Sequence, residues 1–490
     1  MSAAKAKSLT KENNTSFKFE LSIPLKWLVW GIYSLLILYT TSNHEPWRDE
    51  AQSWLIARDL SLSELLGYLP NEGHPPLWYF ILMPFAKLGM PYSYIGILHN
   101  VIAIAFAWVL LFKNKLNPLV AITLLFSYYF AYEYAVIARN YAMVALLLAI
   151  LGACYEKRFE QPFLFAGIVF LLFQTNVLAF CAGAAIGVIF FLEVVLKKDF
   201  KPKNFVAMAI MAAGGLFTLV LLLSAGLKNG ITKSAEQPAT ALLDAFGNAL
   251  LLNKEEGSLA LFLYLVMALS FIRKPFALLF LAISVLGFSY LIAYKFQGTL
   301  RHHGFLLVFL LGAFIIASYY KSIASLETYK WLDWVGAGLF AFVMFSQDLK
   351  SIDYIQEENN RNFSDAQNTG EFLMKNGLDK YTIVGHRSYA ASAVAPYLPK
   401  GKPIWYADQQ RNGTFIPLDT VFFNNYMKYN GDYAPYIVAM KFQQKDSILL
   451  LMNTPIQYPE FQREWRLIYQ TREEPIKRDE VFFIYQHVSI

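Results

Sequence analysis

The stretch "HEPWRDEAQSWLIARDL" at 44–60 gathers Glu45, Arg48, Asp49, Glu50, Arg58 and Asp59 directly after an apolar run. A second polar pair, Glu72 and His74, stands just before Pro75 and Pro76 in the region of "GHPPLWYF". Two other short polar turns carry cations or imidazoles: Arg139 in "AYEYAVIARNY", and Arg301, His302 and His303 in "TLRHHGF". A carboxylate can take the proton of a reacting hydroxyl, and guanidinium groups bind phosphate through paired hydrogen bonds. The combination points to one site for a hydroxyl nucleophile and a phosphate. An arginine at or near membrane depth is costly and is expected to have a partner or a ligand. Each group also has a plainer reading. Asp49 can cap a helix, with Glu50 favoured by the dipole of the first turn; Arg139 can pair with Glu133, and Arg301 can reach lipid headgroups.

Other chemistries leave no trace. The chain has no G-x-x-x-x-G-K stretch and no G-x-G-x-x-G after a strand, so no glycine loop for a nucleotide is expected. H-E-x-x-H and dense His/Cys spacing are absent as well, so nothing in the residues calls for a divalent metal, although one is not excluded. Cys154 and Cys181 both lie in apolar stretches, which argues against a disulfide framework or a thiolate site.

These residues must be held by a chain that is 56% hydrophobic and only 16% charged, where soluble domains carry about 25% charged residues. The expected class is a polytopic α-helical membrane protein. Apolar runs at 25–42, 92–112, 118–136, 141–155, 162–176, 177–196, 204–226, 258–273, 275–297, 302–320 and 330–347 give about eleven candidate transmembrane helices. The net charge of +6 is spread in short clusters between these runs, which suits membrane topology and not a nucleic-acid partner. Lys5, Lys7, Lys11 and Lys18, then Lys113 with Lys115, Lys157 with Arg158, "KKDFKPK" at 197–203, "RK" at 273–274, and Lys321 with Lys330 occupy alternate connections. By the positive-inside rule that places the N-terminus in the cytoplasm and the C-terminus outside. The first apolar run lacks a small-residue cleavage site and reads as a retained anchor.

The same parity puts 43–91, the turn at 133–140, the turn near Gln174, the loop 227–257 and "QGTLRHHG" at 297–304 on the outer face. Within 51–66 the apolar residues Ala51, Trp54, Leu55, Leu62, Leu65 and Leu66 form one helical stripe. That predicts a single surface helix with its tryptophan among headgroups. "PPLWYFILMPFAKL" at 75–88 predicts a second, interfacial helix, with proline fixing its start. The chain thus divides into a transmembrane domain, 1–347, carrying the outer loop 43–91, and a soluble extracytoplasmic α/β domain, 348–490. In the latter, "YTIVGH", "PIWYAD" and "EVFFIYQHV" read as strands and "NTGEFLMKNG" as a helix closed by glycine.

"RDEAQSWLIAR" after the first span, followed by "GHPPLWY", resembles the membrane glycosyltransferases of the C-type fold. The branch it looks most similar to holds the protein O-mannosyltransferases and the aminoarabinose transferases of lipid A. The likeness covers the first 150 residues, extends to the "LRHHG" bend, and reaches the soluble domain only by position. It implies an inverting glycosyltransferase that moves a sugar from a polyprenyl-phosphate donor to a hydroxyl of a protein, lipid or glycan. Carried onto this sequence, it makes Asp49 the general base. Glu50 orients the loop by pairing with Arg139, and Glu72 and His74 contact donor or acceptor. Arg301 and His302 lie near the donor phosphate, and Arg58 joins the substrate-binding set. Gly73 between Glu72 and His74 departs from the pattern, in which relatives often carry the acidic residue next in sequence. No cofactor is required by this chemistry, and a bacterial inner membrane is the expected location. A transporter or flippase for lipid-linked sugars is the alternative, with inverted repeats and midplane charges as its marks; a non-enzymatic scaffold would leave the Asp49 cluster without a purpose.

Overall fold

Proline sets the start of many helices in this chain, because its fixed φ suits a first turn whose N–H needs no partner. The computed structural model describes residues 21–229, 237–429, 448–457 and 459–487, so the N-terminal lysines up to Lys18 and part of the 227–257 loop lie outside the described residues. The helices are α1 (Ile23–Asn43), α2 (Arg48–Asp59), α3 (Leu62–Glu72), α4 (Leu77–Lys87), α5 (Ile95–Lys113) and α6 (Pro118–Phe126). Next come α7 (Tyr141–Cys154), α8 (Pro162–Phe173), α9 (Ala179–Leu196), α10 (Pro202–Asn229), α11 (Pro238–Leu251) and α12 (Gly257–Leu269). They are followed by α13 (Pro275–Tyr294), the short α14 (Leu300–His303), α15 (Phe305–Ala317), α16 (Trp331–Asn360) and α17 (Ala366–Lys375).

Every apolar run contains a helix, but the count of eleven spans is not met. Among the described residues, six segments are long and apolar enough to cross a bilayer: 23–43, 92–113, 179–196, 202–221, 275–294 and 300–317. Several of the other expected runs fold into short or broken helices. The run 118–136 breaks at Ser127 into α6 and a π-helical turn, Tyr129–Glu133, and α8 has only 12 residues. A 12-residue helix reaches about 18 Å, against roughly 30 Å of hydrocarbon.

The connections nevertheless sort into two groups. At one end, Leu77 N–H donates to the Gln174 carbonyl at 3.0 Å, Asn140 donates to the Thr175 carbonyl at 2.9 Å, and Tyr134 donates to the Arg301 carbonyl at 2.6 Å. At the other, Lys115 pairs with Glu156, Arg158 grips Glu193 through Nε at 2.7 Å, Lys197 joins Glu193 at 3.1 Å, and Lys274 meets the Tyr320 carbonyl. Most of the described basic connections therefore converge away from the polar loop at 43–91.

That loop is two helices where one was expected. Ser61 accepts from Glu64 N–H, and the Glu64 carboxylate takes Ser61 N–H at 2.7 Å, a capping box that ends α2 and starts α3. The expected headgroup position of Trp54 is also corrected. It is 2% exposed and packs inside the protein with Trp78, Tyr79 and Tyr92. The helix starts after Pro76 as expected, and α4 is a short apolar helix of 11 residues.

The boundary at 347/348 falls inside α16, which runs unbroken into the C-terminal region. There a six-stranded sheet has the order β3-β2-β1-β4-β6-β5, with β1 (Thr382–His386) parallel to β2 (Ile404–Tyr406) and β4 (Ile448–Met452). Strands β3 (Arg411–Gly413), β5 (Trp465–Gln470) and β6 (Phe483–His487) join antiparallel. Burial of all five residues of β4 fits a central strand covered on both faces. The helix expected from "NTGEFLMKNG" is α17, closed by Gly377 at φ +66°.

Candidate functional site

Asp49 is the second residue of α2 rather than its cap, which is Trp47. Its carboxylate accepts from Arg301 Nη1 at 2.6 Å, and its main-chain carbonyl accepts from Arg139 Nη1. The structure therefore joins the first polar loop to both cation-bearing turns, separated from it in sequence by 252 and 90 residues. The Asp49 side chain is 32% exposed and that of Arg301 15%, so the pair sits at a partly open rim. Removal from water opposes ionisation of Asp49, but the Arg301, Arg139 and Arg48 guanidinium groups outweigh this and hold its carboxyl well below the usual range.

Glu50 does not pair with Arg139, as the resemblance implied. Its buried carboxylate accepts the N–H of Ala138 at 2.6 Å, the N–H of Trp47 at 3.0 Å, and His44 Nε2 at 3.0 Å. Glu50 reaches the Arg139 turn through the backbone, one residue early. The plainer pairing of Arg139 with Glu133 is not formed either: Glu133 accepts from the Tyr128 hydroxyl at 2.8 Å. His99 on α5 lies 2.9 Å from the Arg139 carbonyl and 3.1 Å from that of Ala135, which fixes the turn from below.

Glu72 ends α3, where Gly73 takes φ +66°, a left-handed cap that glycine tolerates without strain. Its carboxylate accepts from Gln52 at 2.8 Å, Tyr79 at 3.0 Å and Tyr68 at 3.3 Å. Burial raises the Glu72 pKa against these bonds and the field of Arg139. His74 donates from Nδ1 to the Glu72 carbonyl at 2.8 Å, so its other nitrogen carries the lone pair when neutral. Burial, then the Arg139 charge, lower its pKa to about 4. The charges of Asp49 and Arg301 also act on His74, so the Glu72–His74 turn lies within electrostatic reach of the pair.

His302 accepts Thr299 N–H at Nδ1 over 3.0 Å, and its ring meets the Tyr141 and Phe296 rings edge-on. Next to it, Gly304 has no room for a side chain. A Cβ there would lie 2.4 Å from both the Tyr129 ring and the Tyr134 hydroxyl, the group that holds the Arg301 carbonyl. Arg58 is not brought to the site. It binds Asp59 at 2.7 and 3.0 Å, and its place nine residues along α2 puts it about 13 Å from Asp49.

Five side chains here escape the sequence analysis. Arg301 Cζ lies 4.9 Å from the centre of the Trp47 ring, and Lys477 from the C-terminal region lies 4.4 Å from the same ring. Among the described residues, the buried Tyr141 hydroxyl, the Trp47 indole N–H and Arg139 Nε have no hydrogen-bond partner. Unmet buried donors around one carboxylate are what an anionic or hydroxylated ligand would satisfy. His44 and Glu358 form the remaining pair, at 2.8 Å. His44 was in plain view, six residues before Glu50, but its partner is 314 residues away.

The C-terminal sheet region closes over this rim. Arg48 binds Asp479 at 2.5 Å, Glu45 accepts Gln367 N–H at 2.6 Å, and Gln52 exchanges hydrogen bonds with both main-chain groups of Ile416 at 2.7 and 3.0 Å. Among the described residues no group of three or more His, Cys, Asp or Glu side chains is arranged to hold a metal ion. Neither a protein-family model nor a curated protein sequence matches the chain.

Proposed function

We propose that this chain is an inverting glycosyltransferase that uses a polyprenyl-phosphate-linked sugar as donor and the hydroxyl of a protein, lipid or glycan as acceptor. The observation that carries the reading is the Asp49–Arg301 pair at 2.6 Å, with Arg139 anchored to the same residue. An aspartate held by two arginines is a poor base while they hold it. When a donor phosphate takes over the guanidinium groups, the carboxylate is released from them and its basicity rises. Asp49 then accepts the proton of the acceptor hydroxyl as the new O–C bond forms at the anomeric carbon. The bond from that carbon to the phosphate oxygen breaks, and its electron pair leaves on the phosphate, neutralised by Arg301 and Arg139.

The lone-pair nitrogen of His74 and the Glu72 carboxylate stand beside this path as contacts for sugar or acceptor hydroxyls, and His302 borders the phosphate. Membrane lipids cover the apolar helices, and the polyprenyl tail lies among them. The resemblance of the two-part loop motif to C-type membrane glycosyltransferases supports the reading, as does the convergence of the basic connections at the end opposite the site. In this orientation the polar loop and the soluble domain lie on the extracytoplasmic face of a bacterial inner membrane, with about eleven membrane passages, some made by short or broken helices. The test is release of lipid phosphate from a panel of polyprenyl-phosphate sugars by wild type and Asp49→Asn. Loss of the base is expected to slow release about 10²- to 10⁴-fold, and equal turnover by the two proteins would remove Asp49 from the role.

A further inference from the structure

His44 is buried between two carboxylates that both act as acceptors. Nε2 is 3.0 Å from Glu50 and Nδ1 is 2.8 Å from Glu358, with side-chain exposures of 1%, 0% and 0%. The remaining bonds of the carboxylates favour their ionised forms. Glu50 also accepts the N–H groups of Trp47 and Ala138, and Glu358 also accepts the Tyr132 hydroxyl at 2.5 Å. With both carboxylates ionised each ring nitrogen donates, and the ring is an imidazolium. Four segments meet at this one cation: the end of α1, the first turn of α2, the Ala138–Arg139 turn through Glu50, and α16 through Glu358.

Resting on the transferase reading above, we infer that His44 is a positioning residue for the transfer reaction: by bridging Glu50 and Glu358 it sets the first turn of α2 and the Ala138–Arg139 backbone, and so presents Asp49 and Arg139 to the substrates. Asp49 is next to Glu50 in sequence, and its carbonyl takes the Arg139 guanidinium. Any rotation of Glu50 is passed directly to both. A neutral residue at 44 leaves two buried carboxylates facing each other, and their repulsion acts along the line that joins α2 to α16.

The titratable groups around His44 are Glu50 on α2, Glu358 on α16, Glu45 beside it, Tyr132 bonded to Glu358, and His99 on α5. Burial opposes its charge, but Glu50 and Glu358 overcome that and raise its pKa to about 10. Its contribution is thus complete below its ordinary value and is lost as the pH rises through about 10.

The experiment compares lipid-phosphate release by wild type, Asp49→Asn, His44→Asn and Glu358→Gln from pH 6 to 10.5, with melting in detergent as a folding control. His44→Asn is expected to lower kcat at least about tenfold while raising the donor KM less than Arg301→Ala does, since Arg301 is supplied by another element. Its profile should lack the alkaline limb of the wild type. Glu358→Gln keeps the bond to Glu50 but removes one anion, so its limb should move to lower pH, a change that a purely structural role would not produce. Glu358→Gln decides the matter alone if His44→Asn does not fold: an unmoved limb overturns the assignment. Wild-type kcat in folded His44→Asn also overturns it. If either occurs while Asp49→Asn is inactive, only His44 is reassigned; full turnover by Asp49→Asn removes the transferase reading itself.

Discussion

Arg301 carries two duties that pull in different directions. In the structure it neutralises Asp49, yet in the proposed reaction it must turn to a phosphate. Its guanidinium lies against the Trp47 ring, which stabilises a cation without consuming its hydrogen-bond donors. Arg301→Ala is expected to raise the donor KM about tenfold or more, the worth of a charge-assisted hydrogen bond, and to leave the acceptor KM closer to wild type. Steady-state kinetics with each substrate varied in turn checks this, and an effect confined to the acceptor moves Arg301 out of the phosphate site. The sequence showed Arg301 as an unexplained cation, and that was enough to find it. Arg58 looked equally promising, but its neighbour Asp59 satisfies it locally through two bonds. A cation next to an anion in sequence carries a weaker signal than one without a nearby partner.

Among the elements, α2 and α3 show what patterning can and cannot give. The apolar stripe over 51–66 was real, but Ser61 and Glu64 carried a capping box inside it, and two local hydrogen bonds outvoted the stripe. That signal was available in the sequence. The burial of Trp54 was not, because it depends on α4 and Tyr92 folding back over α2. The same holds for Glu50: a first-turn carboxylate is evident locally, while its partners at Ala138 and, through His44, at Glu358 come from distant segments. Gln52, one turn after Asp49 and Glu50, is the element-level link most open to test. It binds Glu72 and both main-chain groups of Ile416, so it ties α2 to the end of α3 and to the C-terminal sheet region. Gln52→Ala leaves these groups without their partner and should cost about 1–3 kcal/mol. Thermal melting in detergent measures the loss, and an unchanged midpoint shows that water replaces the amide.

For the whole molecule, the junction between the helical part and the C-terminal sheet region is built on acids. Burial first, and then Asp365 and Glu480, raise the Glu45 pKa to about 8 against the hydrogen bond from Gln367. Glu480 is likewise raised by burial, to about 7, despite Arg48. A carboxyl with a raised folded pKa gives its full contribution below its ordinary value, and that contribution is lost as the pH rises through the folded value. The junction should therefore loosen between about pH 5 and 8. Glu45→Gln keeps an oxygen for Gln367 N–H and removes the titration, so its melting midpoint should vary less over this range than that of the wild type. Parallel pH dependence in the two proteins places the sensitivity elsewhere. Composition alone announced a membrane protein, and the change of composition near 348 announced a second region. Sequence could not show that the second region closes over the rim of the first, because the joining contacts, such as Arg48 to Asp479, pair residues more than 400 positions apart.

The helix α16 makes that closure mechanical. Its 30 residues run without a break from Trp331 to Asn360, a length of about 45 Å, and Glu358 sits near its far end with the His44 imidazolium in its grip. A stiff shaft with no joint in it cannot absorb displacement. If the C-terminal region rocks, the Trp331 end of the shaft must swing with it, and the Glu358 end must tug on the turn that bears Asp49.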